Sequence, residues 1–163
     1  MKPAIREETA ADRLAVREVM TAAFGSAAEA DLVDRLRADG DVAIALVAAE
    51  GGRIVGQILF SPLRAPFRAL ALAPVAVLPE RQRQGIGSAL IEAGLARATA
   101  AGWEGAFVLG EPAFYGRFGF EAGLAAGFQS PYGGPYLLAR ALAGPLPARS
   151  GRIDHAAAFA ALS

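Results

Sequence analysis

The sequence has no cysteine, one histidine (His155) and one lysine (Lys2). The lack of cysteine excludes disulfides, thiolate metal sites and a cysteine nucleophile. One histidine cannot build a metal centre with several imidazole ligands. A phosphate-binding P-loop needs Gly-Lys-Ser or Gly-Lys-Thr, and a chain whose only lysine is its second residue does not contain it. These absences remove several common classes of site before any motif is considered.

The chain also lacks an excess of either charge. Sixteen Lys and Arg residues balance sixteen Asp and Glu residues, so no overall field attracts nucleic acid or an anionic membrane. We therefore expect neither of them as a partner. Any site for an anion must be built locally.

Long apolar runs are missing as well. The longest, residues 42–49 and 69–79, fall short of the about 20 residues that a helix needs to cross a bilayer. Residues 5–8, Ile-Arg-Glu-Glu, do not form the apolar core of a secretory signal. These features predict a cytoplasmic protein.

The overall composition is typical of a chain that folds. Hydrophobic residues make up 54% of the 163 positions and charged residues 20%, and no segment is of low complexity. The length falls within the usual range of one domain. We expect residues 1–163 to form a single domain.

Strand and helix patterns alternate at the start of the chain. Residues 4–8 are predicted as a strand, and Thr9 is placed to cap a helix that extends to Phe24. A second helix is predicted over residues 29–38 and ends at Gly40. On it, three apolar residues share one face and four charged residues are expected to face water; they are Leu32, Val33 and Leu36, and Asp31, Asp34, Arg35 and Arg37.

The middle of the chain has the pattern of a sheet. Two strands are predicted over residues 42–49 and 53–61, joined by a tight Gly-Gly turn. A third is predicted over residues 69–78. Because Pro74 within it cannot donate a ladder hydrogen bond, this strand must be irregular there or lie at an edge.

The remainder combines one clear helix with shorter elements. Residues 84–101 carry apolar side chains at helical spacing. A strand, a helical turn and a further strand are predicted over residues 105–110, 113–118 and 137–142. This order of elements predicts an α+β fold with a mixed sheet and helices packed on it.

The turn between the third strand and this helix contains two glycines. Without side chains at Gly85 and Gly87, backbone N–H groups can approach an anion, and the helix N-terminus adds a positive end. Diphosphate is the ligand that suits such a turn. Arg81 and Arg83 add local charge that can reach a diphosphate or a 3′-phosphate. The predicted cofactor-binding residues of the turn are Gln82, Arg83, Gln84, Gly85, Ile86, Gly87 and Ser88.

The glycine pair by itself leaves other interpretations open. Glycines at a strand-to-helix turn also serve close packing in the absence of any ligand. The dinucleotide-binding fingerprint fits poorly, because it needs a third glycine and an acidic residue at the end of a second strand.

The turn resembles the hallmark of the GCN5-related N-acetyltransferases (GNAT). Their motif reads Gln/Arg-x-x-Gly-x-Gly/Ala, and residues 82–87, Gln-Arg-Gln-Gly-Ile-Gly, match every specified position. Residues 75–79 look like the fourth strand of the family, and residues 110–120, with their Tyr-x-Arg-Phe-Gly-Phe core, are similar to its later strand-to-helix segment. The second segment and the tail at residues 151–159 resemble a bacterial subgroup of predicted N-acetyltransferases similar to YhbS.

The resemblance implies a twisted, splayed mixed sheet of about six to seven strands flanked by helices, with acetyl-CoA as cosubstrate in the splay and no metal. An amine acceptor attacks the thioester directly. Backbone groups near Val75, Ala76 and Val77 bind the pantetheine arm and polarise the carbonyl. A tyrosine after the fifth strand protonates the CoA thiolate, and Tyr115 is the matching residue. An aromatic packing role is the alternative for it.

The sequence departs from the family at the general base. Many relatives carry a glutamate on the fourth strand, where this chain has Leu70 and Leu72. Glu111 is the best remaining carboxylate, ahead of Glu29 and Asp31, although a solvated surface position is the more ordinary expectation for each. The single histidine, close to the C-terminal end of the sequence, is expected to have a surface or capping role.

No motif identifies the acceptor. The first helices and the aromatic residues Phe24, Phe60, Tyr132 and Tyr136 are expected to influence its choice, and residues 130–135 can form a loop over its site. Because the strand glutamate is missing, a non-catalytic acyl-CoA-binding regulatory domain is the main alternative to an acetyltransferase, followed by a nucleotide-binding module unrelated to CoA. The family implies a homodimer as the assembly.

Overall fold

A six-stranded sheet organises the part of the chain that the computed structural model describes, residues 2–162. Its strands, in chain order, are β1 (Ala4–Glu7), β2 (Ile44–Glu50), β3 (Arg53–Leu63), β4 (Ala69–Val77), β5 (Gly105–Leu109) and β7 (Leu137–Ala141). They lie side by side in this order, and neighbours are antiparallel except for the parallel pair β4 and β5. Two short strands, β6 (Phe128–Gln129) and β8 (Gly151–Arg152), form a separate parallel pair.

Helices flank this sheet and pack on its central strands, which confirms the predicted α+β class. The longer ones are α1 (Arg13–Phe24), α2 (Ala28–Ala38) and α3 (Ile86–Ala100); α4 (Pro112–Tyr115) and α5 (Ala122–Ala125) are single turns. A 3-10 helix, Ala157–Leu162, closes the described part of the chain. None of the helices within residues 2–162 has the length and apolar character that a bilayer crossing demands.

Close contact between α3 and the sheet depends on a glycine. A Cβ atom added at Gly94 would lie 2.3 Å from Cε1 of Phe60, so the ring of Phe60 packs directly on the helix backbone. Phe60 is fully buried. The expectation that Phe60 influences acceptor choice is therefore wrong, because α3 covers the ring completely.

The predicted hairpin and the predicted irregular strand are both confirmed. Gly51 and Gly52 have φ of 56° and 82°, and these positive angles are the ones that a tight hairpin turn requires. In the next pair of strands, Ile58 lies opposite Val75 and Phe60 lies opposite Leu72. Two residues of β4 thus face one residue of β3, a bulge that places Pro74 inside the sheet without a regular ladder bond.

One prediction for α2 is wrong. The side chain of Arg37 is only 10% exposed and forms a 2.6 Å ion pair with Glu8, whose side chain is 6% exposed. Gln57, fully buried on β3, donates to the other oxygen of Glu8 over 3.0 Å. Arg37 does not face water because the end of β1 places a carboxylate beneath the helix, which helical spacing alone cannot reveal.

The sheet opens between its two parallel strands. β4 and β5 pair only at Ala69–Gly105, Leu70–Ala106 and Ala71–Phe107, although β4 continues to Val77 and β5 to Leu109. The strands separate beyond the third pair. The splay that the resemblance implies is thus present, and it positions the site described next.

Candidate active site

The first part of the site is the free edge of β4. Val75, Ala76 and Val77 pair with β3 on one side, opposite Ile58, Gln57 and Gly56. On the other side β5 has already diverged. Backbone groups on a strand edge without a neighbouring strand are available to an extended ligand. The three predicted strand residues therefore border an open slot, as their proposed role requires.

The turn that follows β4 is held by two hydrogen bonds. The N–H of Leu78 donates to the carbonyl of Val55 over 2.9 Å, and Nε2 of Gln82 donates to the carbonyl of Val77 over 3.0 Å. The side chain of Gln82 thus stabilises the shape of the turn. The backbone then bends through positive φ angles at Arg83 (63°) and Gly85 (82°).

The two glycines of the turn are not required for packing. A Cβ at Gly85 would meet nothing within 4 Å, and one at Gly87 would lie at an ordinary 3.7 Å from Cγ2 of Val77. Glycine is favoured at position 85 because the backbone there is left-handed. The packing interpretation of the motif is therefore weakened, because space stays open beside both residues.

The N-terminus of α3 faces that open space. The first backbone bond of the helix runs from the N–H of Ala89 to the carbonyl of Gly85 over 3.0 Å, and no side chain caps this end. The N–H groups of Ile86, Gly87 and Ser88 precede that bond and have no intrahelical acceptor. Together with the helix dipole they form a region that favours an anion.

A cavity of about 420 Å³ lies in front of this helix end, and we call it the turn cavity. Its walls come from Val77, from the turn, and from Phe114 and Arg117 of the segment after β5. Gln84 is not part of the wall, since its side chain binds Nε of Arg81 over 2.9 Å and the carbonyl of Glu80 over 3.4 Å. Most residues of the turn therefore line the cavity, while Gln84 stabilises the turn from outside it.

The two arginines expected to supply positive charge at the turn cavity, Arg81 and Arg83, differ in their surroundings. Arg81 forms an ion pair with Glu50; this bond raises the pKa of Arg81 and lowers that of Glu50. Arg81 lines the turn cavity, as a residue that reaches a phosphate there would, but a carboxylate from β2 balances its charge. Arg83 is exposed and has no ion pair with any described residue.

Arg117 lines the turn cavity, although the sequence analysis gave it no role. Its Nη2 donates to Oγ of Ser88 over 3.0 Å, and its guanidinium lies 5.1 Å from the ring centre of Phe114 and 5.4 Å from that of Phe118. It also lines a neighbouring cavity of about 390 Å³ together with Arg140. The signal was available in the Tyr-x-Arg-Phe-Gly-Phe core, where only the tyrosine was given a role.

Tyr115 lies at the start of the same segment and is half-buried. Its ring packs edge-on against Phe114 at 4.9 Å and Phe120 at 5.9 Å. A Cβ at Gly110 would lie 2.2 Å from Cε2 of Tyr115, so this glycine makes room for the ring. Burial raises the pKa of the phenol, and its hydroxyl has no hydrogen bond to a described residue. The ring is thus held in place while the hydroxyl stays available.

The candidate carboxylates do not line these cavities. Glu111 is exposed at the start of α4, and Asp31 forms a 3.1 Å ion pair with Arg17 between α1 and α2. Neither they nor Glu29 line any cavity described here. Among residues 2–162, no group of three or more His, Cys, Asp or Glu side chains is arranged to hold a metal ion.

A second cavity, of about 200 Å³, opens where the pairing of β4 and β5 ends, and we call it the splay cavity. Residues 71–73 of β4 and 107–109 of β5 form one side of it, and Tyr132, His155 and Phe159 contribute to the other. Tyr132 therefore lines this cavity. Phe24 and Tyr136 are 43% and 55% exposed and lie outside this wall.

The expected surface role of His155 is wrong. The imidazole packs edge-on against the ring of Tyr132 at 5.0 Å and that of Phe159 at 5.5 Å, because the C-terminal tail folds back over the sheet. Its Nδ1 is fully enclosed and has no hydrogen-bond partner among the described residues. Burial lowers the pKa of His155, and the adjacent Asp154 carboxylate opposes that effect.

Comparison with known proteins agrees with this geometry. The family model described as acetyltransferase (GNAT) domain matches residues 41–122. Over 127 residues the chain is 41% identical to the uncharacterized N-acetyltransferase YjhQ of Escherichia coli K12, covering 72% of this chain and 69% of that one. It is also 36% identical over 121 residues to the uncharacterized N-acetyltransferase YhbS of the same strain, covering 72% of each.

Two solved structures are similar over nearly the whole chain. A GNAT family N-acetyltransferase (YhbS) from Escherichia coli, in complex with CoA, superposes with a TM-score of 0.89 at 29% identity, covering 98% of this chain and 93% of that one. A GNAT family acetyltransferase from Brucella melitensis, in complex with acetyl-CoA, gives a TM-score of 0.82 at 36% identity, covering 96% and 97%.

Proposed function

Because the chain belongs to the GNAT family of acetyltransferases, we propose that it transfers an acetyl group from acetyl-CoA to an amine by direct attack. The main support for this proposal is the unpaired edge of β4 and the turn that follows it. This edge leads into the turn, which ends at the open N-terminus of α3. An extended thioester arm and a diphosphate need these two features in this order.

The phosphate end of acetyl-CoA is proposed to occupy the turn cavity. Backbone N–H groups of Gly85, Ile86, Gly87 and Ser88 bind the diphosphate, helped by the helix dipole. Arg117 and Arg83 supply the positive charge. In this proposal the side chains of Gln82 and Gln84 shape the turn through their hydrogen bonds to Val77, Arg81 and Glu80.

The pantetheine arm is proposed to follow the free edge of β4 in the manner of an added strand. Backbone groups of Val75, Ala76 and Val77 bind it, and one N–H polarises the thioester carbonyl and stabilises the oxyanion that forms during attack. The non-reacting parts of CoA thereby hold the carbonyl in a fixed place, which lowers the entropic cost of the reaction.

Tyr115 is proposed as the proton donor to the CoA thiolate. A phenol has an ordinary pKa of about 10 and a thiol one of about 8.5, so the transfer depends on placement more than on driving force. The ring contacts with Phe114 and Phe120 hold the ring in one orientation, which supports this role. Burial keeps the phenol protonated at neutral pH, which is the form that a donor requires.

Calorimetric titration of the purified protein with acetyl-CoA tests the proposal, with ATP and NAD as controls. We expect binding of acetyl-CoA alone, followed by thiol release when amines are added. Binding without thiol release for any amine would favour a regulatory acyl-CoA-binding domain. Binding of ATP or NAD in place of acetyl-CoA would overturn the proposal in favour of a nucleotide module.

The remaining features of the protein stay predictions. We propose that residues 1–163 form one N-acetyltransferase domain, that the protein acts in the cytoplasm, and that it assembles as a homodimer. Cell fractionation and sedimentation equilibrium measure the last two directly.

A further inference from the structure

The splay cavity adjoins the proposed position of the thioester. Its wall includes Ala73, which lies two residues before Val75 on the strand edge assigned to the pantetheine arm. The cavity also begins at Ala71 and Phe107, the last pair joined by the ladder between β4 and β5. A molecule in this cavity is therefore next to the carbonyl that the proposed reaction attacks.

Among residues 2–162, no charged side chain lines the splay cavity. Apart from backbone groups, its polar atoms are those of Tyr132 and His155, and the other side chains are apolar. An ammonium ion entering it would lose its hydration without gaining a counter-charge, which is costly. The chemistry of the wall favours an amine in its uncharged form.

The size of the cavity limits the acceptor. An apolar cavity of about 150 Å³ accommodates one benzene ring, and the splay cavity holds about 200 Å³. Tyr132 and Phe159 present aromatic surfaces to it, and these pack well against another ring. A body of one ring suits this space better than a long polyamine.

His155 forms the boundary between two different cavities. On one side is the splay cavity, and on the other a polar cavity of about 450 Å³ whose charged residues are Asp41, Arg64 and Asp154. Those three groups and the Tyr132 phenol are the titratable or charged groups, among residues 2–162, that line a cavity together with the imidazole. The side chain is thus placed to receive a proton on the apolar side and release it on the polar side.

We propose that the splay cavity is the acceptor site, that it takes an uncharged amine with an apolar body of about one ring, and that His155 removes the proton of the attacking nitrogen. The inference rests on the proposed acetyl transfer and deepens it. It supplies the base for which no carboxylate is suitably placed.

The proton balance of the reaction closes with this assignment. The acceptor nitrogen forms a bond to the acetyl carbon and passes one proton to the imidazole, while the carbon–sulfur bond breaks and the CoA thiolate takes one proton from Tyr115. Afterwards the imidazolium releases its proton through the polar cavity, and the phenolate regains one from solvent. A neutral imidazole is needed at the start, and its burial favours that form.

Three commercially available amines test the acceptor class by thiol release at pH 7 under saturating acetyl-CoA. Aniline is an uncharged ring amine, benzylamine carries the same ring with an ammonium group, and spermidine is a polycation. We expect kcat/KM to fall in that order, with aniline at least about tenfold above spermidine, because the charged forms lose solvation. Preference for spermidine would overturn the acceptor class.

A substitution in the wall adds a second test. Leu109 lines the cavity and is 44% exposed, so Leu109→Glu introduces a carboxylate at little cost in stability. We expect this variant to reverse the order of aniline and spermidine. Leu14→Glu, at a position of α1 that is 78% exposed, is the matched control and should keep the wild-type order. An unchanged order in Leu109→Glu would place the acceptor elsewhere.

His155→Ala and His155→Gln test the base. We expect kcat/KM for aniline to fall at least about a hundredfold in both, and added imidazole to restore part of the rate in His155→Ala only. In the wild type the rate should decline at acid pH, below the ordinary imidazole pKa of about 6.5, because burial lowers the pKa of His155. His155→Gln should lack that acid limb. Undiminished rates in both variants would overturn the role of His155. Failure of imidazole to rescue His155→Ala, together with an unchanged pH profile in His155→Gln, would overturn it as well.

Calorimetry separates this inference from the proposed function. Wild type and all variants should bind acetyl-CoA with equal affinity, which also shows that they fold. If acetyl-CoA binds and thiol is released only with spermidine, acetyl transfer stands and the acceptor inference fails. If acetyl-CoA does not bind the wild type, both fail.

Discussion

Arg117 donates a hydrogen bond from Nη2 to Oγ of Ser88 over 3.0 Å, joining the segment after β5 to the first turn of α3. The two elements are separated by 29 positions in the sequence, and the bond places a guanidinium beside a helix end that has no capping side chain. The arginine that shapes the turn cavity is therefore brought there by the fold.

Replacing Arg117 should weaken CoA binding. Arg117→Gln removes an exposed charge beside the proposed phosphates, so we expect the Kd of CoA to rise roughly fivefold, or about 1 kcal/mol. Pantetheine lacks phosphates, and its weaker binding should not change. Arg13→Gln, an exposed arginine on α1, is the control. Equal loss of CoA affinity in both variants would contradict a specific role for Arg117.

A carboxylate at Gly85 should abolish the phosphate site. Gly85 and Gly25 have nearly the same backbone, with φ of 82° and 77°, and open space beside both. Gly85→Glu and Gly25→Glu should each lose about 1 kcal/mol of stability, because a side chain is strained in this conformation. Only Gly85→Glu should lose CoA affinity, by at least about tenfold. Unchanged CoA binding in Gly85→Glu would leave the turn as a structural element alone.

Tyr115→Phe separates proton donation from aromatic packing. The ring contacts with Phe114 and Phe120 persist, so Tm and CoA affinity should hold, while turnover should fall about a hundredfold if the hydroxyl is the donor. Tyr136→Phe, at a position that is 55% exposed, is the control. An undiminished rate in Tyr115→Phe would assign the residue to packing.

The raised pKa of Tyr115 also predicts a pH dependence. The folded protein favours the neutral phenol, so the donor stays protonated beyond the ordinary pKa of about 10. The rate should therefore show no alkaline decline from this residue below about pH 10. Above that pH the phenol of Tyr115 ionises in the unfolded chain before it does so in the folded protein, so the free energy of unfolding should fall. Tyr115→Phe should reduce this alkaline loss of stability.

Removing Arg37 should strongly destabilise the fold. Glu8 would keep a carboxylate that is 6% exposed without its cationic partner, so we expect Arg37→Met to lower the free energy of unfolding by about 3 kcal/mol in urea titration. Arg35→Met, on the same helix but with a side chain 66% exposed, should change it by less than about 0.5 kcal/mol. Similar values for both variants would contradict a buried ion pair.

Much of the fold follows from local patterns in the sequence. The glycine turn, the amphipathic spacing of α3 and the Gly-Gly hairpin all concern residues that contact each other within a few positions. Local spacing sets backbone geometry directly, which is why these elements, and the family resemblance carried by residues 82–87, could be predicted. Tyr115 was predicted as the proton donor in the same way, through its position in a motif.

Contacts between distant segments were decided by the tertiary structure alone. Arg37 follows the spacing of a solvent-facing residue, yet the end of β1 lies beneath it; Arg81 is matched by Glu50 from another strand; His155 is carried by the tail into the wall of the splay cavity. The sequence by itself determined the glycine turn and the family. Where charge is balanced and which side chains line the cavities depend on long-range packing, because burial and ion pairing are properties of the assembled sheet and not of local spacing.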